Sequence, residues 1–403
     1  MKRLLGLTAL LLVLGCQHEK FEKKITNDVA IQKEVPFVCG VGIIPMGERK
    51  SKDGRYLPIR SERNLANPVV IYLDYDGEFI PGNSTPFTPN NLTVQPASNT
   101  LDKTLIKTMI EEVYSKWNVT VTESLTTYNA TNDADREHVI IGNGMASLFG
   151  TGIGGIAYNN TIGTGAGNST YFPAMVLPDN LGNVSAYVAQ AAMHEIGHAI
   201  ALHHQADVNN SNCTVIHEYS QGLGGNAGNS TCPIMGVAYN AAAKVWRTGP
   251  TIEPSGSGSP NCFVIEDGVA EISNVLGQTT AVDQSNTTSG AGYIARNAVY
   301  KAIMNSETDV DYFRILPAIG FATNPRFSAT SICSYDVAAD FYSSSGAFLF
   351  TLDDANSINI ASYNLNSVKM QLINGYVKIR HSSTSPYIQT GTASGYTNIQ
   401  FTW

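Results

Sequence analysis

The sequence is poor in charged residues and has no excess of basic ones. Asp, Glu, Lys and Arg make up 14% of its 403 residues, and the formal net charge is −8. Proteins that bind nucleic acids carry clustered Lys and Arg side chains that neutralise phosphates, and no such cluster follows the N-terminal region of this chain. We therefore expect no nucleic-acid partner.

Long apolar runs are also missing. The apolar segment Leu4–Leu14 follows Lys2 and Arg3, and it is shorter than the roughly 20 apolar residues that span a bilayer. A positive end before a short apolar core is typical of a secretion signal. The segment ends in Val13-Leu-Gly-Cys16, which resembles the bacterial lipobox, where the cysteine is lipidated and becomes the mature N-terminus.

This resemblance implies a lipid anchor on Cys16, through which the protein contacts a membrane. Because Gln17 follows the cysteine, it also implies a lipoprotein of the bacterial outer membrane or cell surface. The alternative is an ordinary cleaved signal peptide and a secreted protein. In both cases the chain enters an oxidising compartment, where disulfides form.

Cysteine is scarce, with six residues in the whole sequence. Besides Cys16, these are Cys39, Cys213, Cys232, Cys262 and Cys333. An odd number leaves one thiol that is free or pairs between molecules. We expect a disulfide between Cys213 and Cys232. Cys39 then competes for a disulfide partner with Cys262 and Cys333.

The pattern of apolar residues divides the chain into four parts: a signal peptide (1–15), a tether or propeptide (16–66), an α/β domain (67–280) and an all-β sandwich (281–403). The third part alternates β-rich runs with long amphipathic patterns at 101–117 and 183–202, which predicts a mixed sheet with two main helices. A shorter helix is expected at 263–276. The last part has short β-runs between Gly- and Ser-containing turns, including one at 368–372.

A metal-binding motif, His194-Glu195-Ile-Gly-His198, lies in the second amphipathic pattern. Positions i and i+4 share one face of a helix, so His194 and His198 can aim their imidazoles at one metal ion. Zinc accepts such nitrogen ligands and keeps one position open for water in catalytic sites. Glu195 is placed to take the proton from that water. The motif therefore predicts one catalytic zinc ion.

Two further histidines, His203 and His204, follow nine and ten residues after His194 and are the candidates for a third ligand. Each helical residue turns by about 100°, so a helix continued to His204 would carry its side chain away from the metal. The chain must therefore leave the helix after about residue 201. Glycine makes such a turn most easily, but Ala201 stands there.

Together with Cys232-Pro-Ile-Met-Gly-Val-Ala-Tyr239, these residues resemble the metzincin zinc metalloproteases, and among them the reprolysin-like (M12) type. The family pattern is H-E-x-x-H-x-x-G-x-x-H followed by a Met-turn, and Ala201 replaces its glycine. The resemblance implies that His204, ten residues after His194, is the third metal ligand, with His203 as the alternative, and that Met235 lies beneath the metal ligands. It also implies that the substrate is a protein or peptide.

Substrate contacts follow from the same resemblance. The segment 154–158 is similar to the edge strand that binds an extended peptide in this family, which implies contacts from Gly155, Ile156 and Ala157. Tyr239 is a further candidate contact to the substrate or the transition state. The alternative for Tyr239 is simple packing beside the specificity pocket.

Cys39 has two interpretations. The sequence Cys39-Gly-Val-Gly42 resembles the cysteine switch of some metzincin propeptides, where a thiolate occupies the open position of the zinc. The family motif has Arg before the Cys and a Pro-Asp pair after it, and these are replaced by Val38, Gly42 and Ile43. A structural disulfide is the alternative.

The C-terminal part resembles a second family. Asp309-Val-Asp-Tyr-Phe-Arg-Ile315 is similar to the opening of the bacterial pre-peptidase C-terminal (PPC) domain, a β-sandwich carried by many secreted proteases. Gly375–Ile379 and Gly395-Tyr396 are similar to its last strands. Asp309 and Asp311 are candidate ligands of a structural calcium ion, the alternative being carboxylates that simply face water.

The sequence thus predicts a monomeric, surface-anchored or secreted zinc metalloendopeptidase. A protein of a different class would be a binding or adhesion lipoprotein with a degenerate protease domain, but intact His194, Glu195 and His198 argue against it. A zinc hydrolase that acts on something other than peptides is a third possibility.

Overall fold

A computed structural model gives the fold. The described residues are 49–50, 56–57 and 64–402 except for 83–87, 89, 150–151, 164–172, 224, 226–229, 256–258, 260, 279–283, 305–307, 335, 355–356 and 383–394. The predicted signal peptide, the lipidation site Cys16 and the candidate switch Cys39 lie outside this range. Two short strands, β1 (Arg49–Lys50) and β2 (Tyr56–Leu57), pair antiparallel.

A mixed sheet forms the centre of the α/β part. Its strands are β3 (Val69–Asp74), β4 (Glu78–Ile80), β5 (Leu92–Pro96), β6 (Val119–Thr122), β7 (Arg136–Asn143), β8 (Gly155–Ile156) and β9 (Ala174–Val176). β3 pairs in parallel with β6 and β7, and β7 pairs in parallel with β9. β8 pairs antiparallel with β9, and among the described strands it has no second neighbour. β8 is therefore an edge strand, as predicted for 154–158.

Both faces of this sheet are covered. Every residue of β3 is buried, which explains its almost continuously apolar sequence. The helices are α1 (Lys103–Val113), α2 (Leu125–Asn129), α3 (Ala146–Phe149), α4 (Ser185–Ile200) and α5 (Gly268–Leu276). Within α4 all residues from Val188 to Ile200 are buried, so its sequence is apolar on nearly every side.

The two long helices pack against each other. The Tyr114 hydroxyl, just after α1, donates to the Met193 carbonyl of α4 at 3.2 Å. The starts of both helices are also tied, because the Asp102 amide donates to Ser185 Oγ at 2.8 Å. The Asp102 side chain accepts from the Leu105 amide and so caps α1. This cap explains why α1 begins later than the predicted span of 101–117.

The prediction of a helix over all of 263–276 was wrong in its first part. Phe263–Asp267 is strand β15, which pairs antiparallel with β14 (Thr248–Pro254). The helix α5 begins only at Gly268, because the Asp267 side chain accepts from the Ala270 amide and caps it. Apolar residues that are spaced for one helix face also fit a short strand, so periodicity did not separate the two.

The segment between α4 and β14 is built from two small sheets. β10 (Asp207–Asn209) pairs antiparallel with β11 (Thr214–His217), and β12 (Thr231–Pro233) pairs in parallel with β13 (Ala243–Val245). These strands lead the chain past the metal-binding motif and back towards α5.

The predicted Cys213–Cys232 bridge is wrong. Cys213 instead forms a disulfide with Cys262, with 5.3 Å between their Cα atoms, and this bond joins the exposed β10–β11 turn to the start of β15. Cys232 lies on β12 in the interior, where its Sγ donates to the Gln221 carbonyl at 2.8 Å. Cys333 carries a buried thiol. Cys213 and Cys232 thus lie in different environments, one exposed and one buried.

The C-terminal part is a two-sheet sandwich, so the predicted fold class is confirmed. Its strands are β16 (Gly292–Ile294), β17 (Val299–Met304), β18 (Val310–Ile315), β19 (Arg326–Thr330), β20 (Val337–Tyr342), β21 (Phe348–Leu352), β22 (Ile360–Asn364), β23 (Tyr376–His381) and β24 (Gly395–Thr402). The order is β16-β18-β23-β20-β21 in one sheet and β17-β24-β19-β22 in the other. Phe341 of the first sheet packs on Phe327 of the second, with ring centroids 5.2 Å apart.

The predicted strand at 368–372 was wrong. The chain turns there, with the Val368, Gln371 and Leu372 amides each donating to the carbonyl three residues before.

No helix in the described part of the chain combines the length and the apolar character needed to cross a membrane.

Candidate metal centre

The helix α4 ends where the metal ligands require a turn. Ala201 has a φ of 98°, a left-handed conformation that costs a non-glycine residue about 1 kcal/mol. The Leu202 amide donates to the Gly197 carbonyl at 2.9 Å, which closes the helix end. Ala201 therefore makes the turn that the missing glycine would have made.

Three imidazoles converge, two from α4 and one from beyond this turn. Ligand nitrogens of His194, His198 and His204 all lie within 4.8 Å of one another. The Nε2 atoms of His198 and His204 face each other at 3.1 Å. All three side chains are buried, with 4% to 7% of their surface exposed. The spacing suits three nitrogens arranged around one small cation.

The opposite ring nitrogens fix the tautomers. His194 Nδ1 donates to the Ile234 carbonyl, and His198 Nδ1 donates to the Leu202 carbonyl, both at 2.8 Å. These rings must then present a lone pair on Nε2, since a neutral imidazole protonates one nitrogen only. The Nε2 atom of His194 is buried and has no hydrogen-bond partner among the described residues.

Electrostatics favour the neutral ligands that zinc requires. Burial lowers the pKa of His194 to about 4. Burial and the neighbouring His204 and His194 rings hold the pKa of His198 well below its usual range. Neutral His194 and His198, with Nε2 lone pairs facing the His204 ring, fit two of the nitrogen ligands of a zinc ion.

His203, the alternative third ligand, lies elsewhere. Its Nδ1 is 2.8 Å from Glu266 Oε2, and its backbone amide donates to the same carboxylate at 3.0 Å. Glu266 is 1% exposed, and burial raises its pKa to about 8. Of the two adjacent histidines, the structure brings His204 to the cluster and ties His203 to β15.

Glu195 lies between the histidines and the edge strand. It is 2% exposed, and a Cβ added to Gly155 would lie 2.6 Å from its Oε1. The carboxylate thus approaches the backbone of β8 more closely than any residue with a side chain would permit. Ile156 and Ala157 point into the core, so a substrate can meet them only through their backbone.

Met235 packs against the metal-binding helix. A Cβ added to Gly197, between the two motif histidines, would lie 2.4 Å from Met235 Sδ. The Met235 carbonyl accepts from the Gln205 amide at 2.9 Å, which links it to the residue after His204. Met235 therefore lies directly against α4, at the level of the ligands.

Tyr239 lies beside the edge strand. Its hydroxyl would be 2.6 Å from a Cβ on Gly154, and its ring packs edge-on against Tyr187 at 5.5 Å. This position, next to β8, suits contact with a peptide bound along that strand.

Two neighbours of His204 in the structure were not predicted from the sequence. The Tyr219 ring centroid is 4.3 Å from that of His204, and Glu218 Oε1 is 3.8 Å from His204 Nδ1. Carboxylates near the distal nitrogen of a histidine ligand orient the ring and raise its basicity. No motif marks these residues, because a loop brings them to the site.

A second group of metal-ligand atoms joins Asp74, Glu78 and His138. His138 Nε2 is 3.0 Å from Asp74 Oδ2, and Asp74 Oδ1 accepts from the Asp76 amide. Hydrogen bonds within the protein therefore account for the close approach of Asp74 and His138 in this group.

The candidate calcium ligands Asp309 and Asp311 are buried near the start of β18 and do not face water.

Comparison with known proteins agrees with this geometry. Residues 92–205 match the model of the family "Metallo-peptidase family M12B Reprolysin-like". This match ends one residue after His204, so it includes all three histidines and Glu195. Residues 92–205 are thus similar to a reprolysin-like metallopeptidase domain, and the resemblance predicted from the zinc motif is confirmed.

One solved structure is similar to part of the chain. It is the pre-peptidase C-terminal domain of a collagenase from Bacillus anthracis, which is 13% identical, with a TM-score of 0.21. The match covers 29% of this chain and 99% of that one. Among curated proteins, none matches the sequence.

Proposed function

We propose that this protein is a zinc-dependent endopeptidase of the metzincin type. The observation that carries the proposal is the convergence of His194, His198 and His204 on one point, with the Nδ1 atoms of the first two held by backbone carbonyls. Within the part of the chain that the structure describes, the buried His194 Nε2 has no hydrogen-bond partner. This supports a cation at that point, since buried polar atoms are otherwise hydrogen-bonded.

The residues of this chain have distinct roles in the proposed reaction. A bound zinc ion supplies Lewis acidity, which polarises a carbonyl and lowers the pKa of water. Glu195 accepts the proton of the attacking water and returns it to the leaving amine. Its burial shields the carboxylate from solvent, which strengthens its interaction with the reacting atoms.

The substrate of this proposal is an extended peptide. It would add to the open edge of β8, since edge strands bind peptides through main-chain hydrogen bonds. Gly155 would place this peptide directly beside Glu195, because it lacks a side chain. Tyr239 would then flank the peptide near Gly154.

The test is the variant Glu195→Gln. It should hold zinc like the wild type, measured by metal analysis, and should lose cleavage of casein. Glu111→Gln, on the exposed face of α1, is the matched control and should stay active. Wild-type cleavage by Glu195→Gln would refute the mechanism. A wild type that binds zinc but cleaves no peptide would favour the adhesion protein or a hydrolase of other substrates.

The location is a separate proposal. We infer a lipoprotein that is anchored through Cys16 at the cell surface or outer membrane, on the strength of the lipobox-like sequence alone. Cys16→Ser should then move the protein from the membrane fraction to the soluble fraction. Membrane association that is unchanged in this variant would contradict the anchor.

A further inference from the structure

A buried carboxylate of the catalytic part is held by a turn of the β-sandwich. Glu112 of α1 is fully buried. It accepts hydrogen bonds from Ser331 Oγ (2.6 Å), the Ile332 amide (2.8 Å), the Cys333 amide (3.0 Å), the Ser334 amide (2.8 Å) and Ser334 Oγ (2.6 Å). Successive amides that point at one carboxylate form an anion-binding nest. We name residues 331–334 the nest turn.

The same turn also contacts the strands that lead to Met235. The Lys244 amide of β13 donates to the Cys333 carbonyl at 2.6 Å. β13 pairs with β12, and the Ile234 amide that follows β12 donates to the Val245 carbonyl at 2.9 Å. The Cys333 side chain packs within the core of the catalytic part. The nest turn is therefore inserted between α1 and β13.

Both α1 and β13 are in contact with residues that position the metal ligands. On one side, the Ile234 carbonyl accepts from His194 Nδ1, so β12 and β13 set the position of a ligand. On the other side, the Trp246 indole donates to the Val113 carbonyl at the end of α1 at 3.0 Å. The same indole would be 3.4 Å from a Cβ on Gly197, between the motif histidines.

We propose that Glu112 is a positioning residue for the metal centre and that the nest turn of the sandwich is a necessary part of that centre's support. The sandwich would then be required for a competent site. The inference rests on the proposed function only in that His194, His198 and His204 hold a metal. It concerns how these ligands are held and does not depend on the substrate.

The experiment compares three full-length variants. Glu112→Ala removes the acceptor, Ser331→Ala with Ser334→Ala removes two donors and keeps the backbone, and Glu111→Ala is the matched control on the neighbouring exposed position. The measurements are zinc affinity by competition with a chelator, the visible spectrum of the cobalt-substituted protein, and kcat and KM for a peptide.

The expected result is roughly 10-fold weaker zinc binding in the first two variants, as found for residues that orient metal ligands. Their cobalt spectra should shift, and kcat should fall more than KM rises, while Glu111→Ala stays like the wild type. Should Glu112→Ala fail to fold, the double serine variant decides.

Unchanged zinc affinity and cobalt spectra would overturn the proposal, even if thermal stability fell, because the interface would then only stabilise the fold. Absence of peptide cleavage by the wild type would count against the proposed function instead. Zinc affinity and the cobalt spectrum would still decide the role of Glu112.

Discussion

The Glu266 carboxylate binds both the backbone amide and the imidazole ring of His203. This contact directs the next residue, His204, to the metal centre. The carboxylate lies 3.0 Å from the His203 amide and 2.8 Å from its Nδ1. The chain has left α4 only two residues earlier, at Ala201. A segment this short has few internal constraints, so the contact to β15 fixes its course together with the bond from the Gln205 amide to the Met235 carbonyl.

Removal of this contact should therefore loosen the third ligand. Glu266→Ala leaves a buried amide and a buried ring nitrogen without their acceptor, which costs about 1–3 kcal/mol. We expect lower stability in urea unfolding together with weaker zinc binding. His217→Ala is the control, because it breaks an imidazole–carboxylate pair that is exposed and should cost less than about 0.5 kcal/mol. Equal effects of the two variants would contradict the role of Glu266.

Ala201→Gly should stabilise the protein. Ala201 is strained at a φ of 98°, and glycine removes a strain of about 1 kcal/mol there. Ala199→Gly, two residues earlier within α4, should instead destabilise by about 1 kcal/mol. Urea unfolding of both variants tests the opposite signs, and a loss of stability in Ala201→Gly would show that the turn is not strained.

Gly155→Ala should reduce peptide cleavage and leave the metal bound. The new methyl group would lie 2.6 Å from Glu195 Oε1, so either the carboxylate or β8 must move, and displacements near 1 Å cost about 100-fold in rate. Gly292→Ala is the control, since a Cβ there meets nothing within 4 Å. The measurements are peptide cleavage and zinc content of both variants. Full activity in Gly155→Ala would show that the Glu195 carboxylate does not lie beside Gly155.

The sequence predicted the parts of the site that lie close together along the chain. His194 and His198 are four residues apart, and helical geometry alone determines their common face, while Glu195 is the next residue after His194. The choice between His203 and His204 stayed open, because it depends on Glu266, some sixty residues later. Tyr219 and Glu218 were missed for the same reason, since only tertiary structure brings them to His204.

The fold shows a similar division. The fold class followed from the alternation of strands and helices, and the buried strand β3 and the helix α4 were recognised from their apolar patterns. The failures were the Cys213–Cys232 bridge, the first part of the helix over 263–276 and the strand at 368–372. The first depends on which strands meet in space, and the second on the cap at Asp267, whose effect exceeds that of apolar spacing.

The pH dependence of stability should contain a contribution from Glu137 in β7. Burial raises its pKa to about 8, so it stays protonated in the folded state between pH 4.5 and 8 while the unfolded chain releases the proton. The folded state then binds more protons, and stability falls as pH rises through this range, by at most about 1.4 kcal/mol per pH unit.

Glu137→Gln copies the protonated form, so its free energy of unfolding should match that of the wild type at pH 4.5 and exceed it at pH 8. The exposed Glu123→Gln is the control, and urea unfolding at both pH values is the measurement. Equal stability of Glu137→Gln and wild type at pH 8 would show that the buried carboxyl ionises as it does in water.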